Sequence, residues 1–97
     1  MIISFACKDT EDVFNGIETK KTRKLIPDYL LEDAQDMLSI LDAVETLDSL
    51  RIPVSNRLEK LQGDRKGKYS IRINNQYRIC FTWLDGNAHD VEIVDYH

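Results

Sequence analysis

Ninety-seven residues, 42% apolar and 31% charged, fit a single domain spanning residues 1–97 with one modest core, and they exclude long disorder. No apolar run approaches the roughly 20 residues that span a bilayer, and the N-terminus lacks the basic region and long apolar stretch of a secretory signal. No membrane partner is expected, and the expected compartment is the cytoplasm. The net charge of −4 hides a segregation: residues 28–50 carry seven acids and no base, whereas residues 51–78 carry eight bases against Glu59 and Asp64. Because charge acts over a Debye length of about 8 Å, the basic segment keeps a polyanion such as nucleic acid among the candidate partners.

In chain order, Ile2 to Lys8 alternates, with Ile3, Phe5 and Cys7 on one side, and reads as a first strand. Asp9 or Thr10 is expected to cap a short helical stretch through Phe14 that stops near Asn15-Gly16. Residues 18–24 are polar and basic and read as a mobile loop. From Asp28 to about Val44, Leu30, Ala34, Met37, Leu41 and Val44 recur at steps of four and three, which lines one face of a helix; the acids lie mostly off that stripe. Pro27 and Asp28 mark its start, and Pro53 ends a following short turn that carries Leu47 and Leu50.

From Tyr69 the period changes to two. Tyr69, Ile71 and Ile73, and then Tyr77, Ile79, Phe81 and Trp83, form one apolar face of a hairpin turned at Asn74-Asn75-Gln76. Asp85-Gly86 makes a second turn, and Ala88 to Asp95 a closing strand. One strand, then helices, then a three-stranded meander predicts an α+β fold: a small, mostly antiparallel sheet with the N-terminal helices packed on one face and the other face open. Alternation sends Arg72 and Arg78 to that open face, as neighbours across the hairpin if the register allows.

Cys7 and Cys80 show no Cys-x-x-Cys or Cys/His ligand spacing and read as buried free thiols; with only two histidines, no metal and no cofactor are expected. Two segments carry candidate chemistry. In Gly63-Asp64-Arg65-Lys66-Gly67-Lys68, glycines around basic residues suit a loop that approaches a phosphate closely, with Arg65 forking onto its oxygens; a solvated turn explains the same pattern. The terminal Asp95-Tyr96-His97 ends a strand on three titratable groups, although Tyr96 can equally cap the core and His97 fray. Together, an imidazole that exchanges protons near neutral pH, a phenol and several guanidiniums are the parts needed to cleave RNA without metal. His89 reads as a solvated loop imidazole beside Asp85-Gly86, and Trp83, Phe81 and Tyr77 read as core rather than a base-stacking platform.

The segments Asn56-Arg57-Leu58-Glu59, Gly63-Asp64-Arg65-Lys66-Gly67, Tyr69-Ser70-Ile71-Arg72-Ile73-Asn74, Tyr77-Arg78-Ile79-Cys80-Phe81 and Asp95-Tyr96-His97 resemble the HigB toxins, also called plasmid-maintenance killer proteins. Ser4-Phe5, Cys7-Lys8-Asp9-Thr10 and Phe14 before Asn15-Gly16 fit as well, so the resemblance covers nearly the whole chain. It implies a RelE-like fold and the toxin of a type II toxin–antitoxin pair, an endoribonuclease that cuts mRNA on the translating ribosome and so inhibits translation. A HigA-like helix-turn-helix antitoxin is the implied partner, with DNA reached only through it. By position, the resemblance puts Arg78, Asp95, Tyr96 and His97 in the cleavage centre and Arg65, Lys68 and Arg72 on the RNA. Where some relatives carry a histidine and a lysine ahead of the Gly-Asp-Arg segment, this chain has Glu59 and Gln62, which leaves the general base open, and Asn74 stands where relatives have arginine.

The expectation is therefore a ribosome-dependent, metal-free mRNA endoribonuclease. Two other classes compete: a non-catalytic RNA- or ribosome-binding module that blocks translation by occupancy, and a protein-interaction partner whose basic surface meets an acidic protein.

Overall fold

The computed structural model describes residues 1–62 and 67–95. The helices come first: α1 (Lys8–Phe14), α2 (Lys20–Leu25), and α3 (Leu31–Ala43), which follows directly on a 3-10 turn at Asp28–Leu30. Two further 3-10 turns, Leu47–Arg51 and Val54–Asn56, lead into the sheet strands β1 (Glu59–Lys60), β2 (Lys68–Arg72), β3 (Tyr77–Leu84) and β4 (Asn87–Asp95). The four strands pair antiparallel in sequence order, so the expected α+β architecture and three-stranded meander hold, with β1 as a short added edge.

Several local expectations are corrected. Ile2 to Lys8 is not a regular strand. Ile2 and Phe5 make isolated parallel bridges to Ala88 and Val91 along the outer edge of β4, because a bulge interrupts that edge: the register steps from Cys80↔Glu92 to Thr82↔His89, and Asp90 takes a left-handed φ of 51°. Phe5 packs on the core while Ile3 faces out, and the helix begins earlier than expected, with Cys7 at the cap position and its thiol 3.2 Å from the Thr10 hydroxyl. Residues 18–24, expected as a mobile loop, instead form the cap and most of α2. Thr19 and Thr22 cap it reciprocally, Thr22 N donating to Thr19 Oγ1 at 3.2 Å and Thr19 N to Thr22 Oγ1 at 2.8 Å. Six residues are too few to display a helical period, so only the cap residues carried the signal.

In α3 the buried stripe runs Leu30, Ala34, Leu38, Leu41, with Met37 and Val44 half-buried at its margin. This face meets Ile71, Ile79, Phe81, Ala88, Val91 and Ile93 from the sheet in one core cluster. Thr10 ties α1 to β4: its fully buried hydroxyl accepts from Ile93 N at 3.1 Å, taking over the strand edge where the N-terminal segment leaves it. The cysteines are free, Cys80 buried and Cys7 only half-buried.

The face away from the helices is not left open along its length. Ser70, Arg78 and Cys80 project to it and are buried, and the chain at Arg57 lies close enough to Arg78 for a main-chain hydrogen bond. The turn residues 54–59 cover that part of the sheet, with Arg78, itself held on Ser70, supplying a polar partner to the covering backbone.

Candidate functional site

The β2–β3 register pairs Arg72 directly with Arg78, which puts two guanidiniums side by side on the face away from the helices. Like charges placed so close repel, and the surroundings offset this unequally. Arg78 is only 8% exposed; its Nε donates to Ser70 Oγ at 2.9 Å and its Nη2 to the carbonyl of Arg57 at 2.6 Å, with Glu59 Oε2 at 3.8 Å from the same nitrogen. Glu59 reaches this point because it pairs with Ser70 across β1 and β2, and so shares the arginines' face. Arg72 donates from Nη2 to Asn75 Oδ1 in the hairpin turn. That turn is itself shaped by Asn74, whose Oδ1 accepts from Gln76 N at 2.9 Å and Tyr77 N at 2.7 Å.

These residues line a polar cleft of about 260 Å³, bounded by Arg57, Glu59, Arg72, Asn74, Asn75 and Arg78. Three guanidiniums face one carboxylate. Planar forks of this kind match the oxygens of a phosphodiester, and those of Arg72 and Arg78 are pre-ordered by their own hydrogen bonds. Glu59 adds a proton acceptor beside them.

Other expected site residues fall elsewhere. Asp95 pairs with Tyr77, not with Arg78, whose partner on β4 is Val94; its side chain therefore shares the Tyr77 face, and its Oδ2 accepts from Gln76 Nε2 at 3.3 Å. Lys68 pairs with Thr82, on the arginines' face but four residues up β2 from Arg72, about 13 Å along the strand, and it does not line the cleft. Arg65, Tyr96 and His97 lie outside the described residues, as do all of residues 63–66 of the expected phosphate loop. His89 is on β4 opposite Thr82 and half-buried, rather than in a turn, because the strand starts at Asn87. Among the described residues no group of three or more His, Cys, Asp or Glu side chains is arranged to hold a metal ion.

Arg57 and Asn75 were not anticipated as cleft residues. Arg57 stood in a segment that carried the family resemblance, but only the fold brings its loop across the sheet to Arg78.

The four-stranded antiparallel meander with three N-terminal helices is a fold shared with solved toxin structures. The structural likeness is to the YoeB–YefM complex from Staphylococcus aureus, at TM-score 0.62 and 21% identity over 100% of this chain and 98% of that one. The YoeB/ParE toxin from Agrobacterium tumefaciens follows at TM-score 0.54 and 16% identity, over 100% and 99%. Residues 4–97 match the family described as HigB-like toxin, the RelE-like toxin of the type II toxin–antitoxin system HigB. Toxin HigB-1 of Vibrio cholerae serotype O1 is 42% identical over 88 residues, 91% of this chain and 90% of the relative. Endoribonuclease HigB of Proteus vulgaris is 29% identical over the full length of both. The chain belongs to the HigB-like toxin family.

Proposed function

We propose that this toxin is an mRNA endoribonuclease that acts in the cytoplasm on messages held by the translating ribosome, without a metal ion. The observation that carries the reading is the Arg72–Arg78 pair, with Arg57 beside it, around a polar cleft at the β2–β3 hairpin turn. Membership of the family and the endoribonuclease named in Proteus vulgaris support the same chemistry.

In the proposed reaction the 2′-hydroxyl attacks the adjacent phosphorus, giving a 2′,3′-cyclic phosphate and releasing the 5′-oxygen, which takes up a proton. The arginines neutralise the charge that builds on the phosphorane oxygens. Tyr96 and His97 follow Asp95 in sequence, and we assign His97 the proton transfer to or from the reacting oxygens and Tyr96 a hydrogen bond that orients them. Glu59 is the second candidate for the 2′ proton, since its carboxylate lines the cleft beside the arginines. Asp95 fits a positioning role, holding the end of β4 on Gln76. Arg65 and Lys68 are assigned to flanking phosphates, beyond the cleft. A HigA-like helix-turn-helix antitoxin is the proposed partner, with DNA contacted only through it; the Staphylococcus aureus neighbour was solved with the antitoxin YefM.

The test is in-vitro translation with the protein dialysed against chelator beforehand, followed by mapping of message 5′ ends. New ends within codons, absent when the same message is incubated without ribosomes, support the proposal. Arrested translation with no new ends points to blocking by occupancy instead.

A further inference from the structure

We infer that Arg57 is a substrate-contacting residue of the cleft, a phosphate ligand whose presentation is set by Arg78. The inference rests on the reading that the cleft receives RNA. Three observations carry it.

First, Arg57 adopts φ 50° and ψ 52°, the left-handed region that glycine and asparagine enter easily and a long side chain does not. It closes the 3-10 turn at Val54–Asn56, where either of those residues would make the same turn at less cost. Strain of this sort persists only when neighbouring structure enforces it, and it gathers where a side chain has to be aimed.

Second, the enforcing contact is visible. The nearly buried Arg78 fork grips the Arg57 carbonyl at 2.6 Å, while Asn56 Nδ2 holds the turn just before it on the carbonyls of Leu50, at 3.2 Å, and Ile52, at 3.4 Å. Third, the Arg57 side chain is exposed, lines the cleft, and has no hydrogen-bond or ion-pair partner among the described residues, whereas Arg72 is committed to Asn75 and Arg78 to Ser70. The three arginines thus divide the work. Arg78 supplies charge and fixes the backbone, and Arg57 presents a guanidinium whose donors are available to an incoming phosphate.

The experiment compares wild type with Arg57→Gly, Arg57→Asn and Arg57→Lys. Glycine and asparagine keep the carbonyl that Arg78 grips and suit the left-handed backbone, so both variants should melt within a few degrees of wild type. Binding is measured to ribosomes programmed with a message whose 2′-hydroxyls are O-methylated and cannot be cut, across a salt series. The glycine and asparagine variants should bind about tenfold more weakly, with a log–log salt slope shallower by about 0.7, the loss of one single-strand phosphate contact. Lysine should restore most of the slope. Wild-type affinity and slope in both variants would overturn the inference, as would loss of the folded state in both, which would make the side chain structural, or failure of wild type to bind at all. If wild type binds this message but produces no new 5′ ends on an unmodified one, the nuclease reading fails while the assignment of Arg57 stands.

Discussion

Arg78 and Arg57 are joined by a hydrogen bond in which a guanidinium on β3 holds the main-chain carbonyl of a residue 21 positions earlier, at 2.6 Å. That contact seats the turn after Val54–Asn56 on the sheet, and with it Glu59 at the start of β1. Burial here is polar, so the seat is specific. A displaced turn would take the Arg57 carbonyl and the nearby Glu59 carboxylate from a nearly buried cation, which costs far more than the same loss at an exposed one.

Removing one acceptor of that seat should be felt in stability. Ser70 is fully buried and its hydroxyl takes the Arg78 Nε at 2.9 Å, so Ser70→Ala removes that acceptor from a nearly buried charged donor. Urea unfolding should show a loss of about 1–3 kcal/mol, with Ser70→Thr recovering part of it. An unchanged midpoint in Ser70→Ala would mean that the Arg78 fork is held by its other partners alone.

Thr10 governs how β4 is pinned to α1. Thr10→Val has nearly the same shape but strands the Ile93 N–H that the hydroxyl satisfies at 3.1 Å, so a loss of about 1–3 kcal/mol is expected, and less for Thr10→Ser. Hydrogen exchange at the Ile93 amide provides the local check: it should accelerate in Thr10→Val and stay slow in Thr10→Ser.

Tyr77 is expected to make stability fall at alkaline pH. Burial raises its phenol above the ordinary 10.0, and the nearby Asp95 and Tyr29 act in the same direction. The folded state thus holds the phenolic proton more tightly than the unfolded chain does. Its contribution to stability is complete below pH about 10 and is lost as pH rises through the raised folded value. Stability measured from pH 9 upward should fall less steeply in Tyr77→Phe than in wild type; parallel curves would remove Tyr77 from the account.

Much of this architecture was legible in the residues. The period of two from Tyr69 to Trp83 and the turn at Asp85-Gly86 marked the meander, and the alternation of Arg72 and Arg78 against apolar neighbours put both on one face. The Leu30–Ala34–Leu41 spacing marked α3. What escaped depended on non-local partners or on parity. α2 is short and polar, so its caps outweigh any pattern in it. The N-terminal segment fails as a strand because of a bulge at Asp90, more than eighty residues away. The face of Asp95 follows from pairing with Tyr77 instead of Arg78, a shift of one residue that alternation alone does not resolve. Arg57 enters the cleft only through the carbonyl that Arg78 holds.

The proposal with the most consequence is message cleavage, with proton transfer by His97 and phosphate neutralisation by the cleft arginines. Its most direct test is 5′-end mapping of a translated message exposed to wild type, to His97→Ala and to a protein lacking the last three residues, each first shown to fold by its melting transition. The account predicts codon-internal cuts with wild type and a loss of at least 100-fold in cleavage rate with both variants, in line with removal of a general acid or base. Undiminished cutting by the two folded variants would contradict it.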